Sequence, residues 1–391
     1  MLRYLTAGES HGPAITAILE GLPAGLPVSA EEINIDLKRR QGGYGRGRRM
    51  QIETDTIEIT GGVRHGKTMG GPLSLRVENQ DWKNWNDVMA VEPVNHPITR
   101  RRVTKPRPGH ADLAGGLKYG HRDLRNVLER ASARETAARV AAGAVSKRLL
   151  EEFDIKICSR VTSISDVNTP QLREVDWDIV EASEVRAADT ETDSAFRSAI
   201  DKAKAHRTTA GGVFEVVAFG VPVGLGSYIQ WDRKLDGRIA QSMMSINAVK
   251  GVEIGHGFSN TQRPGHDVHD IVVPDATDPR RFKRLSNEAG GIEGGISNGE
   301  PIVVRVAIKP IATMTKPLPS VDINTGEVVE APYHRSDICQ VPPACVIGEA
   351  MMALILAHSL LEKFGGDRLD ETKRNYKSYL ASHQEFGQSV S

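Results

Sequence analysis

The chain has 391 residues, of which 39% are hydrophobic and 26% charged, a composition typical of a soluble globular protein rather than a disordered or fibrous one. Lysine plus arginine (50) equals aspartate plus glutamate (50), which excludes the overall positive field of a nucleic-acid-binding protein. The N-terminal segment has no apolar signal core, and the longest apolar stretch, 345–361, is interrupted by Glu349 and His358. We therefore expect a cytoplasmic protein without membrane or nucleic-acid partners.

Apolar residues recur at strand and helix spacing in an irregular order along the chain. Residues 15–19 are predicted as a strand, and Ser29 with Glu32 forms a capping box that predicts a helix to about Arg40. Apolar residues at helical spacing predict a long helix over 135–153. The other predicted elements are strands at 52–60, 73–77, 155–164, 213–221 and 302–308, and helices at 194–206, 238–249, 346–363 and 370–382.

Long glycine-rich and proline-rich connections separate these elements, at 41–50, 104–120, 250–266 and 289–299. Loops of this length usually bind something. No repeat or linker-like change in composition divides the chain, so we expect one domain over 1–391. Strands and helices alternate too irregularly for a repeating βαβ unit, which favours an α+β fold built of layers over a doubly wound parallel sheet.

The three cysteines, Cys158, Cys339 and Cys345, are an odd number without a CxxC spacing. This pattern argues against a disulfide framework and against a structural zinc site. We expect all three to be reduced and mostly buried.

Two clusters of basic residues lie on segments rich in glycine or proline. Because such backbone can bend closely around a ligand, the clusters predict a binding site for a small polyanion. We interpret the two clusters as parts of one anion site. The first cluster comprises 38–40, Arg46, Arg48 and Arg49, and the second comprises 100–102, Lys105 and Arg107.

Three short motifs match known patterns but lack the required context. Residues 61–68 match the phosphate-loop pattern GxxxxGK[ST], yet 69–72 (MGGP) would break the helix that such a loop must open. Residues 8–12 match the GxSxG nucleophile elbow, but the following residues favour a strand over the helix that an elbow needs. Residues 266–270 (HDVHD) could supply metal ligands, although a hydrogen-bonded turn leading into a strand is the better interpretation.

Several polar residues occupy glycine-flanked or helix-start positions. Ser10 and His11 lie between two glycines, and His110 follows the second basic cluster. Segments 130–135 and 335–337 each precede an apolar helix and carry arginines with a serine, and helix starts favour anions. Histidines titrate near neutral pH, so two of them among arginines suit protonation of a leaving phosphate or of a cofactor anion.

These residues lie in segments that resemble the chorismate synthase family, and the resemblance covers nearly the whole chain. Three segments resemble family signatures in family order: 8–23 (GESHGPAITAILEGLP), 129–145 (ERASARETAARVAAGAV) and 335–351 (RSDICQVPPACVIGEAM). Further matches lie at 40–49, 107–112 (RPGHAD), 245–255, 294–299 and 309–317. One departure is Ala131, where many members have a second serine.

The resemblance implies a carbon–oxygen lyase acting on phosphates, with a single α+β domain. The implied reaction is the anti-1,4-elimination of phosphate from 5-enolpyruvylshikimate 3-phosphate to give chorismate, which requires reduced FMN without net redox change. The implied fold is a layered β-α-β sandwich with antiparallel sheets flanking helices and with glycine-rich active-site loops, assembled as a homotetramer. We expect the flavin to be reduced by an external flavin reductase or another reductant.

The resemblance also implies roles for individual residues. His11 is implied to be the general acid near the departing phosphate, and His110 to protonate or stabilise the reduced flavin anion. Asp337, helped by Ser10 and Ser132, is implied to relay the proton collected by the flavin.

Binding roles are implied for a larger set, and no metal is implied. Flavin contacts are implied for Arg130, Ala131, Ser132, Asn247, Ala248, Gly294, Lys309, Pro310, Ile311, Ala312, Thr313 and Arg335. Anionic groups of the substrate or the flavin are implied to be held by Arg40, Arg46, Arg49, Arg107 and Arg134, of which the first two match positions linked in the family to NADP. Two alternatives stay open: a flavin- or phosphate-binding protein without elimination activity, and nucleic-acid binding through the basic loop.

Overall fold

A computed structural model describes residues 1–47, 54–95, 100–169, 174–278, 280–332 and 336–386. The strands within these residues are β1 (Arg3–Ala7), β2 (Ala14–Glu20), β3 (Ile57–Gly61), β4 (Val63–Arg64), β5 (Lys67–Thr68), β6 (Leu73–Glu78), β7 (Lys156–Ile164), β8 (Val167–Asn168), β9 (Gly212–Phe219), β10 (Val249–Ile254), β11 (Val272–Pro274), β12 (Phe282–Arg284), β13 (Ile292–Glu293), β14 (Ile296–Ser297), β15 (Ile302–Ile308), β16 (Pro319–Val321) and β17 (Val328–Glu330). The helices are α1 (Ala30–Gln41), α2 (Asp112–Tyr119), α3 (Arg125–Arg130), α4 (Thr136–Glu151), α5 (Trp177–Ala182), α6 (Thr190–Ala205), α7 (Leu235–Met244), α8 (Gly257–Asn260), α9 (Val341–Phe364) and α10 (Leu369–Phe386).

The two larger sheets are antiparallel, so the α+β class is confirmed. The first sheet has the strand order β1-β2-β6-β3, and the second has the order β10-β15-β9-β7-β8. Alternate residues of β2 and β6 point inward, as the strand period of two requires. The buried residues on these two strands are Ile15, Ala17, Leu19, Leu73, Leu75 and Val77.

Helices α4 and α9 form the centre of the core. Helix α4 contacts β2 and β6 of the first sheet, and α9 contacts β7 and β9 of the second. The two helices meet closely at Gly143, where an added Cβ would lie 2.3 Å from the Cβ of Ala350. Among the described residues, α9 is the one helix long and apolar enough to cross a membrane, and 89% of its apolar window is buried inside the protein.

Most predicted elements are confirmed, including the capped first helix. The Ser29 hydroxyl accepts a hydrogen bond from the Glu32 amide at 3.2 Å, and α1 follows directly. The motif at 61–68 forms the short β4–β5 hairpin rather than a strand and a helix, and the motif at 8–12 is the turn between β1 and β2. All three cysteines are free and buried, as predicted.

Several predicted boundaries are wrong. Of the strand predicted at 52–60, residues 52 and 53 lie outside the described residues, and the strand begins only at Ile57. The helix predicted at 238–249 ends at Met244, and the chain turns through Ala248, at φ +66°, into β10. That strand occupies part of the connection predicted at 250–266, and α2 occupies part of the one predicted at 104–120. The glycines in α2 that suggested a loop allow close helix contact, because an added Cβ on Gly115 would lie 2.5 Å from a Val127 methyl group of α3.

Candidate active site

A cleft of about 830 Å³ opens where the β1–β2 turn, the end of α3, the start of β10 and the segment before α9 converge. A smaller cavity of about 140 Å³ lies beside it. The two share several lining residues and therefore form one continuous site, and these residues are Ser132, Ala133, Asn247, Asp337 and Gln340.

The β1–β2 turn presents Ser10 and His11 to the cleft. It begins at Gly8, whose φ of +104° and whose close approach to the Ala14 carbonyl exclude a side chain: an added Cβ would lie 2.3 Å from that oxygen. The amide of Ser10 donates to the Glu129 carbonyl at 3.0 Å, so the turn is tied to the end of α3.

The His11 ring is held on two sides. Its Nδ1 lies 2.9 Å and 3.0 Å from the two carboxylate oxygens of Glu129, and its ring stacks on Trp85 with centroids 3.7 Å apart. Burial opposes ionisation of Glu129, but the hydrogen bonds and charge of His11, together with Arg125, outweigh that penalty and hold the pKa of Glu129 below its ordinary value. Because a carboxylate accepts from Nδ1–H, Nε2 is the nitrogen left for proton transfer.

His110 has a similar arrangement. Its Nδ1 lies 2.6 Å from Oδ1 of the fully buried Asp112, and Arg107 donates to the same carboxylate through Nε at 2.8 Å. Burial alone would raise the pKa of Asp112, but His110 and Arg107 hold it well below its ordinary value. Each predicted catalytic histidine therefore has a buried carboxylate at Nδ1, and an arginine is bound to that carboxylate.

Asp337 lines both cavities just before α9. It accepts from Arg46 Nη1 at 2.5 Å and from the Gly47 amide at 2.6 Å. Ser132 lines the same two cavities and donates to the Ser10 hydroxyl at 3.1 Å. The two serines and Asp337, which lie far apart in sequence, thus line the same cleft.

The smaller cavity is lined by cations. Arg40 and Arg134 both contact the buried Asp55, at 3.5 Å and 2.5 Å, and Arg46 lines the same cavity. Arg40, Arg46 and Arg134 thus place positive charge on the wall of this cavity. Such a wall favours a ligand with phosphate or carboxylate groups.

The structure brings most of the predicted site residues together. Those that line the cleft or the smaller cavity are Ser10, His11, Arg40, Arg46, Arg107, His110, Ala131, Ser132, Arg134, Asn247, Ala248, Lys309, Ile311, Ala312, Thr313 and Asp337.

Three predicted residues do not line either cavity, and two cannot be placed. The Arg130 side chain donates to the Thr6 and Gly8 carbonyls, while Gly294 lies at the exposed tip of the β13–β14 hairpin beside Tyr228, and Pro310 is exposed. Arg49 and Arg335 lie outside the described residues.

The two basic clusters contribute to the site only in part. Arg39 turns away to Glu349 and Glu181, and Arg100 pairs with the exposed Asp87. Arg101 lies over the Trp85 ring, 3.8 Å from its centroid, instead of pointing into the cleft. The remaining described members that line the cavities are Arg40, Arg46 and Arg107.

Sequence reasoning gave no role to several residues that build the site: Asp81, Trp85, Asp112, Arg125, Glu129 and Lys250. Three of them carried a usable signal. Asp112 follows His110 by two residues, and Arg125 and Glu129 have the i,i+4 spacing of a helical ion pair. The contact between Trp85 and His11 had no signal, because it joins distant segments.

Among the residues that the structure describes, Oδ1 of Asn247 and Nε of Arg46 are buried on these walls and find no hydrogen-bond partner. Buried polar groups are normally satisfied, so both fit positions that a ligand completes. The part of the chain that the structure describes holds no group of three or more metal-ligating side chains. Fold and site together define an enzyme that performs acid–base chemistry on a small polyanion.

Comparison with known proteins identifies the family. Residues 2–361 match the family model described as chorismate synthase. The chain is 55% identical over 390 residues to the chorismate synthase of Aquifex aeolicus, covering 97% of each, and 56% identical over 384 residues to that of Desulforudis audaxviator, again covering 97% of each. It is also similar to a solved structure titled "Crystal Structure of Chorismate Synthase", with a TM-score of 0.80, 46% identity, and coverage of 98% of this chain and 99% of that one.

The chain therefore belongs to the chorismate synthase family. Its function is that of this family, a lyase of the shikimate pathway that serves aromatic amino acid biosynthesis.

Proposed function

We propose that the cleft catalyses the anti-1,4-elimination of phosphate from 5-enolpyruvylshikimate 3-phosphate, as a carbon–oxygen lyase. The substrate loses a ring proton and its allylic phosphate, whose C–O bond breaks with the electron pair leaving on oxygen, and a new C=C bond gives chorismate. The observation that carries the proposal is the meeting of two carboxylate-bound histidines with Asp337 on one cation-lined cleft.

His11 is the general acid that donates a proton from Nε2 to the departing phosphate. Asp337, helped by Ser10 and Ser132, which line the same cleft, relays the proton that the substrate loses. The Asp337 carboxylate accepts from Arg46, and it becomes accessible to another donor once the substrate's anionic group draws Arg46 away.

The cleft also fits reduced FMN, which when bound supplies electron density to the allylic centre that loses phosphate. A volume of about 830 Å³ lies in the upper part of the ~300–1,000 Å³ range of small-molecule sites. Oδ1 of Asn247, which has no hydrogen-bond partner among the described residues, would accept a hydrogen bond from the flavin, and His110 would stabilise the reduced flavin anion. Further flavin-holding residues on the cleft wall are Ala131, Ser132, Ala248, Lys309, Ile311, Ala312 and Thr313.

The arginines hold the anionic groups. Arg40, Arg46 and Arg134 surround the smaller cavity, which therefore accepts a phosphate or carboxylate, and Arg107 serves the main cleft. Binding roles for Arg49, Arg130, Gly294, Pro310 and Arg335, and an NADP contact at Arg40 and Arg46, remain part of this proposal on the family resemblance.

Several wider features belong to the same proposal. The chain forms one domain over 1–391 with a layered β-α-β sandwich, supported by the contacts of α4 with the first sheet and of α9 with the second. The active enzyme is a cytoplasmic homotetramer that receives its flavin from an external reductase or reductant.

The decisive experiment is anaerobic incubation with chemically reduced FMN and 5-enolpyruvylshikimate 3-phosphate, following phosphate and chorismate absorbance together. Equal release of both, with none in oxidised FMN, supports elimination. Tight flavin binding without product would instead favour the binding-protein alternative. A nucleic-acid filter-binding titration at two salt concentrations separates the remaining alternative, because phosphate-backbone binding falls steeply with salt.

A further inference from the structure

Glu129 contacts several parts of the site, although no catalytic or binding role has been assigned to it. Its side chain is fully buried at the end of α3. Its carboxylate accepts from the His11 amide at 2.8 Å and from the His11 ring, and its backbone carbonyl accepts from the Ser10 amide. Glu129 therefore contacts both residues of the Ser10–His11 turn.

Trp85 restrains His11 from the other direction. Its ring stacks on the imidazole with an interplanar angle of 26°, and its Nε1 donates to Asp81 at 2.8 Å, which fixes the indole itself. Arg101 covers the same indole. The His11 ring therefore has a hydrogen bond in its plane and an indole stacked on its face. Together these two contacts hold the side chain in one orientation.

The charge on Glu129 is balanced from within α3. Arg125 donates to Glu129 Oε1 at 2.8 Å, one helical turn away, so the carboxylate stays ionised although it is buried. An ionised acceptor at Nδ1 selects the tautomer with the proton on Nδ1. The Asp112–Arg107 pair at His110 repeats this arrangement.

We propose that Glu129 is a positioning residue that orients His11 and fixes its ring tautomer, so that Nε2 faces the reacting group. Glu129 acts through His11 and does not touch the substrate. The inference rests on the proposed role of His11 as the general acid.

A double-mutant cycle tests it, with the variants Glu129→Gln, His11→Asn and the double variant. We expect Glu129→Gln to lower kcat by at least about tenfold, as loss of an orienting partner does, with KM changed much less. In the His11→Asn background the same change should lower kcat by less than about threefold, because residues that act as a unit are non-additive.

Glu215→Gln is the matched control. Glu215 is also a buried glutamate bound to two cations, Arg160 and Arg305, but it lies on β9 and does not line the cleft. Its kcat should match the wild type. The ¹⁵N shifts of the His11 ring, assigned by their loss in His11→Asn, should move in Glu129→Gln and stay unchanged in Glu215→Gln.

The outcomes distinguish the proposed role of His11 from the proposed role of Glu129. Wild-type kcat in His11→Asn would show that the proposed role of His11 is wrong. A large loss in His11→Asn with normal kcat in Glu129→Gln, or with effects that multiply in the double variant, would overturn the role of Glu129 alone. If Glu129→Gln does not fold, Glu129→Asp, which keeps the charge but shortens the reach to Nδ1, takes its place in the same cycle.

Discussion

Replacing Asp337 by asparagine separates proton transfer from substrate binding. In the structure Asp337 accepts from Arg46 Nη1 and from the Gly47 amide, and both side chains of the ion pair are largely buried, with 15% and 20% exposed. Asparagine keeps the shape and can still accept from Gly47. It loses the charge that binds Arg46 and the ability to take up a proton.

The magnitudes follow from these contacts. A charge-assisted hydrogen bond contributes about 1.5–3 kcal/mol. If the substrate's anionic group must draw Arg46 away from Asp337, removing that competition tightens substrate binding by about tenfold for each 1.4 kcal/mol. We therefore expect KM to stay equal or to fall, while kcat falls by roughly 10²-fold or more through loss of the proton acceptor.

The assay is anaerobic steady-state kinetics with reduced FMN, followed by a single-turnover measurement of phosphate release. Asp201→Asn is the control, because Asp201 accepts from the Tyr44 hydroxyl and so holds the same loop from outside the cleft. It should leave kcat unchanged. Wild-type turnover in Asp337→Asn, or a raised KM with normal kcat, would refute the proton-acceptor role.

Three further predictions concern the framework. Burial opposes ionisation of Glu349, but the surrounding cations hold its pKa well below the ordinary value. The ionised side chain therefore stabilises the fold at any pH above the pKa of a glutamate in the unfolded chain. This stabilisation is lost as the pH falls below that value. In urea denaturation, Glu349→Gln should lower the free energy of unfolding by about 3–5 kcal/mol at pH 7. The variant should also lose less stability than the wild type when the pH is lowered from about 5 to about 3. Equal stability of the two proteins at pH 7 would contradict this prediction. Gly143→Ala should destabilise the protein by about 1–3 kcal/mol or more, because the new Cβ would overlap Ala350 on α9; an unchanged thermal midpoint would show that the helices can separate at no cost. Burial raises the pKa of Cys339 and Cys345 to about 12, so a thiol reagent at pH 8 should label them only after unfolding, and rapid labelling of the native protein would argue against this core.

The sequence predicted helices and strands well where the apolar periodicity was strong. It predicted them poorly where glycines allow two helices to pack closely. The α9 region and β15 stood out by apolar pattern alone. Helix α2 was predicted as a connection because it contains two adjacent glycines, which are poor helix formers. Those glycines allow α2 to approach Val127 and Leu124, a tertiary reason that no local pattern shows.

The sequence indicated which types of residue form the site, but not in which direction each side chain points. Arg39 and Arg40 are neighbours on α1, yet about 100° of rotation separates consecutive helical residues, so Arg39 reaches Glu349 and Arg40 reaches Asp55. A basic cluster in sequence therefore overestimates the number of cations at the ligand. Likewise, the partner of His11 lies 118 residues away at Glu129, and only the fold brings them together.

The most direct test of the central claim compares His11→Ala and His110→Ala with the wild type, measuring reduced-FMN affinity and the joint release of phosphate and chorismate on the same preparations. The proposal predicts flavin dissociation constants within about tenfold of wild type and turnover lowered by roughly 10²-fold or more in both variants. Wild-type turnover in either variant would contradict the claim that the two carboxylate-bound histidines carry the chemistry of this cleft.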